Sequence, residues 1–274
     1  MKPKDRSDEL AWIPVGEHAK AFGSESYTLP PTGDLIGKSL NLHFENGRFS
    51  DCRFETKNKL HWSAASGAER SRESDETYYG TEIREGVYFI DYVKHVERAT
   101  SVSLVLDLNI GIFTAVIGQL PTRFQATKNI STRTIGGELT GVRATFLSGS
   151  INKPFSKMKT PRHTTTNELV GKRVEYTYSP TERYEHLYLT ENLYTWHCLA
   201  GAEKGLADTD RCHYYKLSDK LYLFVWREKI IPTLGVLIED FDGMKTSGKI
   251  MGYRGNNFGA LSNFQVGAKA HILY

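Results

Sequence analysis

A run of aromatic residues ending on an acid carries the strongest chemical signal in this 274-residue chain. Tyr222, Phe224, Trp226 and Glu228 alternate along Leu221–Glu228. Alternate residues of an extended strand point to one side, so Glu228 shares a side with three aromatic rings. A carboxyl turned into an apolar interior loses hydration, its pKa rises, and it suits general acid–base work near neutral pH. Tyr176 and Tyr178 form a second same-side set, with hydroxyls able to hold an oxyanion or a phenol. Tyr184, His186 and Tyr188 form a third, and Tyr194, Trp196 and Cys198 a fourth. His186 is a second candidate acid–base group. The competing reading is that the tyrosines only fill an interior and Glu228 sits at a wet rim.

Other reactive types are less well placed. His197-Cys198 and Cys212-His213 are sequence neighbours, and neighbours on a strand face opposite ways. Each pair offers one ligand per face, short of the three or four that zinc takes, so no metal site is expected. Cys198 has no evident activating base. Asp208 and Asp210 fall in the Gly- and Asp-rich stretch 201–210, expected as a loop that caps an opening or turns the chain.

The elements that must position these residues are short strands. Leu40, Leu42 and Phe44 alternate with polar residues and are followed by Asn46-Gly47, a hairpin signal. Val87–Tyr92, Ser101–Leu106 and Ile112–Ile117 are further strand candidates, and 64–77 is expected as a loop. The second half supplies roughly eight short strands and no long amphipathic helix. A helix over Glu17–Phe22, before Pro30-Pro31-Thr32-Gly33, belongs to a leader. Many evenly spaced short strands predict an up-and-down β-barrel, which leaves no raw edge and at about eight strands can hold one small ligand.

The chain also repeats itself. Gly37-Lys38 recurs as Gly171-Lys172, Val87-Tyr88-Phe89 as Leu221-Tyr222-Leu223, and Ile117-Gly118 as Met251-Gly252. The differences 171−37, 222−88 and 252−118 all equal 134, and Trp62 and Trp196 obey the same offset. This predicts an all-β chain of two tandem antiparallel barrels: leader 1–34, first barrel 35–147, linker 148–168, second barrel 169–274. The copies differ at polar positions. Leu42, Phe44 and Lys94 become Tyr176, Tyr178 and Glu228. The first barrel, without the acid, is expected to brace the second or to bind a separate apolar ligand. His61, Asp91 and His95 are scattered polar residues there.

Bulk properties exclude some classes. Lys plus Arg number 35 against 32 Asp plus Glu, with no basic stripe, so nucleic-acid binding has no support. Three cysteines suit a reducing compartment better than a disulfide framework. No apolar run is long enough for a signal peptide or a bilayer span. The expectation is a soluble cytoplasmic protein without membrane or nucleic-acid partners; a homodimer stays open.

Tyr176-Thr-Tyr178, Tyr184-Glu185 with Tyr188, and Leu221–Glu228 together resemble the phenolic acid decarboxylases. That resemblance implies a lipocalin-like (calycin) barrel that needs no metal or organic cofactor. It implies that Tyr176, Tyr178 and Tyr184 hold substrate oxygens while Glu228 handles the proton. The family's essential arginine is absent: Lys204-Gly205-Leu206 stands near its place and Arg211 is out of register. A substrate carboxylate then loses its bidentate partner. Dehydration, isomerisation or another proton-transfer lyase step needs no such arginine.

Over its whole length the chain resembles the MoaF family. Trp12-Ile-Pro-Val-Gly, Tyr184-Glu-His-Leu-Tyr-Leu, Tyr194-Thr-Trp-His-Cys-Leu, Gly205-Leu-Ala-Asp-Thr-Asp210 and Phe224-Val-Trp-Arg-Glu-Lys229 carry the likeness. The family carries a molybdenum-cofactor label and a link to a monoamine-responsive regulon, which implies aromatic amine metabolism. No Gly-rich phosphate loop accompanies it here. The combined expectation is a cofactor-independent lyase or isomerase for a small aromatic, phenolic metabolite. Glu228, Tyr176 and Tyr178 would be catalytic, and Tyr184, His186, Tyr188, Trp196 and Trp226 would hold the substrate. The alternatives are a non-catalytic ligand-binding barrel and a molybdenum-cofactor role.

Overall fold

A computed structural model describes residues 11–23, 26–65, 72–127, 135 and 137–274. The first barrel is a closed antiparallel meander of β1 (Ser39–Phe44), β2 (Phe49–Phe54), β3 (Lys59–Ala65), β4 (Arg72–Arg84), β5 (Val87–Val93), β6 (Thr100–Asp107), β7 (Ile112–Gln119) and β8 (Arg143–Ile151). A two-residue strand β9 (Thr164–Thr165) lies in the connection. The second barrel follows as β10 (Arg173–Thr177), β11 (Arg183–Thr190), β12 (Leu193–Ala200), β13 (Ala207–Ser218), β14 (Leu221–Arg227), β15 (Thr233–Asp240), β16 (Lys245–Tyr253) and β17 (Leu261–Ile272). First and last strands pair to close each ring, Leu42 opposite Ile151 and Val174 opposite Ile272. The expected pair of eight-stranded barrels is what forms. Among the described residues no helix is long and apolar enough to cross a membrane.

Strand texture follows solvent. β10 alternates buried and half-buried residues because its outer face is wet. β6 and β15 are buried at every position, as near-continuous apolar strands must be. Their outer faces form a third apolar cluster between the two barrels. Phe89, Val105 and Val116 of the first barrel meet Leu223, Val225, Val236 and Ile238 of the second there. Polar links tie this seam: Arg84 Nη2 to Asp240 at 2.5 Å, and the fully buried Lys249 Nζ donating to Ser101 Oγ at 2.9 Å.

Several expected boundaries shift. The helix α1 spans Val15–Phe22, two residues earlier than expected, and ends at Gly23 with φ 49°. β8 runs to Ile151, into the expected linker, because the first barrel needs an eighth strand to close. Residues 72–77 of the expected loop belong to β4, while 66–71 lie outside the described residues. Residues 207–210 open β13, so Asp208 and Asp210 stand on a strand.

The repeat offset also changes once. Tyr92 pairs with Val102 in the first barrel and Trp226 with Gly235 in the second. The first members differ by 134, the second by 133. The β14–β15 connection (228–232) is one residue shorter than the β5–β6 connection (94–99). Ile117 therefore corresponds to Ile250, both facing a lumen, and the match of Ile117-Gly118 to Met251-Gly252 is one residue out.

Candidate functional site

The open end of the second barrel holds a small cavity of about 50 Å³. Tyr178 follows β10, Tyr184 and His186 come from β11, Tyr194 and Trp196 from β12, and Trp226 and Glu228 from the end of β14; all line it. The space exists partly because Gly235 lies opposite Trp226. A Cβ there would come within 2.2 Å of the indole. The leader closes the mouth. Val15, His18 and Phe22 of α1 line the cavity, and the Phe22 ring meets Tyr178 edge-on at 4.8 Å. His18 reaches Glu203 at 3.3 Å, and the Ile13 amide donates to Glu203 Oε1 at 3.0 Å.

Besides Glu203, two carboxylates at this end of the barrel each receive an indole N–H. Trp226 Nε1 donates to Glu228 Oε1 at 2.8 Å, and Trp196 Nε1 to Asp210 Oδ2 at 3.1 Å. Burial, with the charge of Asp210 adding to it, holds the Glu228 carboxyl well above the usual carboxylate range. Asp210 is 1% exposed. Burial pushes its pKa up to about 6 against the pull of the Lys229 ammonium. Lys229 contacts Asp208 and, at 3.4 Å, Asp210.

Two polar atoms in the cavity wall have no hydrogen-bond partner: the Tyr184 hydroxyl and His186 Nδ1. The neighbouring Cys198 thiol turns instead to the Ala200 carbonyl at 3.4 Å. His186 is packed among rings, 4.7 Å from Tyr176 and 5.2 Å from Tyr194 between centroids. Burial lowers its pKa to about 3, so at neutral pH it is an uncharged hydrogen-bonding group. Buried polar atoms normally have partners, so these two orphans are the natural anchors for a ligand oxygen.

Tyr176 and Tyr188 do not line the cavity. They lie deeper, fully buried, with their hydroxyls 2.7 Å apart and satisfying each other. Of the expected tyrosines, Tyr178 and Tyr184 line the open end and Tyr176 does not. Below them lies Glu239 of β15, fully buried, with no hydrogen bond of ordinary geometry to either oxygen. Burial pushes its pKa up to about 8, with Tyr176 and Thr246 pulling it part of the way back. No arginine or lysine is among the cavity-lining residues described. Arg211 points outward, donating to the Gly137 carbonyl at 2.8 Å. His197 also faces outward, onto Glu185 at 2.8 Å, while Cys198 lies in the core.

Sequence patterning placed Tyr178, Tyr184, His186, Trp196, Trp226 and Glu228 on inward faces, and the structure brings these six together. It did not single out Glu239, Glu203 or the residues of α1. For Glu239 the signal was available: Leu237, Glu239 and Phe241 alternate just as Trp226 and Glu228 do. The first barrel preserves part of the arrangement. Trp62 Nε1 points at Glu76 Oε1, 3.4 Å away and 14 positions on, as Trp196 does at Asp210.

Fold and site together define a tandem pair of eight-stranded up-and-down barrels, the second enclosing an aromatic, acid-bearing cavity capped by the leader helix. The chain belongs to the MoaF family: family models for the MoaF N-terminal and C-terminal domains match residues 10–122 and 163–274. Protein MoaF of Klebsiella aerogenes is 39% identical over 267 residues, which is 97% of each chain. A solved structure described as "a putative beta-lactamase from Burkholderia vietnamiensis" is 14% identical, with a TM-score of 0.34, over 40% of this chain and 100% of its own. At that level it carries no argument.

Proposed function

We propose that the second barrel is a cofactor-independent proton-transfer site, a lyase or isomerase acting on a small aromatic, phenolic metabolite in the cytoplasm. The observation that carries this reading is Glu228, an acid of raised proton affinity, on the same aromatic cavity as the unpartnered Tyr184 hydroxyl and His186 Nδ1. The enclosed space of about 50 Å³ is smaller than the roughly 300–1,000 Å³ usual for small-molecule sites, so an aromatic guest enters only as α1 lifts from the mouth. Trp196, Trp226 and Tyr178 offer ring faces and edges to a planar guest. Tyr184 and His186 hold its phenolic oxygen. Glu228 rests protonated, gives its proton to the reacting carbon or leaving group, and recovers one from the substrate or from water. Three free cysteines suit a reducing compartment.

A second reading, a barrel that binds a ligand without changing it, is favoured by one feature. α1 packs directly over the mouth, and no arginine or lysine stands among the described lining residues to steady a charged group in a transition state. Ultraviolet spectra of phenolic acids, hydroxylated phenylethylamines and their aldehydes, with wild type beside Glu228→Gln, separate the two. A progressive change with wild type that falls at least a hundredfold in the variant supports catalysis. A saturable shift that never progresses, and persists in the variant, supports binding and overturns the enzyme reading. A molybdenum-cofactor role would instead appear as retention of a pterin or molybdate.

A further inference from the structure

The first barrel contains a larger space than the second, about 310 Å³ against 50 Å³, at the equivalent open end. Its interior is apolar, walled by Leu42, Val102, Leu104, Ala115 and Ile117. Its rim is cationic. Arg48, between β1 and β2, Arg72, at the start of β4, and Lys94, just after β5, all line it, with Glu97 the one acid among the described lining residues. Among the described lining residues, three positive groups stand against one negative, a balance of +2. Lys94 stands where the second barrel has Glu228, so duplication has inverted the charge at the matching point. Its ammonium lies 5.3 Å from the centroid of the Trp62 ring and 2.6 Å from Glu97 Oε1. The Lys94 side chain is 15% exposed and Glu97 44%, so a ligand can displace the acid outward without burying it. Arg48 and Arg72 are exposed and have no side-chain ion pair among the described residues.

We propose that the first barrel is a separate binding site for an amphipathic monocarboxylate. The apolar tail enters the lumen, and the carboxylate takes the place of Glu97 on Lys94 beside Trp62, within the field of Arg48 and Arg72. Apolar walls alone would accept any oily molecule; the +2 rim selects an anion. A charge-assisted bond at the edge of a low-dielectric cavity is stronger than one in open water. The chemistry is the same for an aromatic and an aliphatic tail, so the test carries one of each.

The experiment is calorimetric titration of the whole chain with sodium cinnamate and sodium octanoate, each beside its neutral alcohol. At least one carboxylate is expected to bind, and the tighter of the two names the tail. Lys94→Met should weaken that carboxylate by roughly tenfold or more while leaving the alcohol unchanged. Glu97→Gln, a substitution at a half-exposed side chain, should tighten it by freeing the ammonium. Glu228→Gln should leave it unaffected, because that residue belongs to the other barrel. The proposal is overturned if neither carboxylate binds, if Lys94→Met and Glu97→Gln both bind as wild type does, or if the loss follows Glu228→Gln.

Discussion

A buried acid beside a second acid holds its proton tightly, and at Glu228 both causes act together. Glu239 shows the same effect of burial without a second acid beside it. Its pKa rises from 4.5 unfolded to about 8 folded. The folded state therefore binds more protons than the unfolded chain between these values, and stability falls as pH rises through that window. Glu239→Gln, which mimics the protonated acid, is expected to match wild type near pH 4 and to exceed it by a few kcal/mol (order of magnitude) near pH 9. Thermal melts across pH check this; parallel curves for the two proteins would show Glu239 to be ionised without cost. Inward parity was readable at this scale because a strand has period two. Depth along the lumen was not, since parity fixes the side and not the height. That is why Tyr176 and Tyr188, on the correct face, lie below the cavity bonded to each other.

At the scale of elements, two features make the cavity. One is β15, which gives up a side chain at Gly235 so that the Trp226 indole can occupy the space. Gly235→Val improves strand propensity yet places methyl groups where the ring stands. The cost is about 1–3 kcal/mol of overpacking. The indole must move, breaking its bond to Glu228. Ligand affinity in the second barrel should fall at least tenfold with first-barrel binding unchanged; titration of each site checks it, and undiminished second-barrel binding would mean the ring is not a wall of the site. The other feature is α1. Its helical character was legible from its sequence, but its place was not. Helix propensity is local, whereas docking Phe22 on Tyr178 is a tertiary event between residues some 150 positions apart.

At the scale of the molecule, the two barrels pack equivalent outer faces together. Ile83, Val87 and Phe89 of the first correspond to Leu217, Leu221 and Leu223 of the second, and all six lie in the shared seam. A self-complementary contact of this kind is what a twofold dimer makes, which fits a duplication that joined two copies of one barrel. The seam also accounts for the continuous apolar runs of β6 and β15, a pattern that alternation alone cannot assign to any face. Val236→Asp puts an unpaired charge there and should destabilise the chain by several kcal/mol. Denaturant unfolding followed by circular dichroism checks this; a change within about 0.5 kcal/mol would mean the seam opens readily to water. The doubled fold was legible because a repeat survives sequence drift. Its single-residue slip after β14 was not, and the slip hid the correspondence that sets Glu239 against Leu106 of the first barrel.

The most direct measurement is the protonation state of Glu228 itself, by infrared difference titration of wild type against Glu228→Gln, with Glu239→Gln resolving the second buried acid. A carboxylic acid band at pH 7 that disappears with Glu228→Gln, and titrates at lower pH once Asp210→Asn removes the neighbouring charge, is the expected result. A Glu228 already ionised at pH 7, with an ordinary pKa unmoved by Asp210→Asn, would contradict the proton-transfer site.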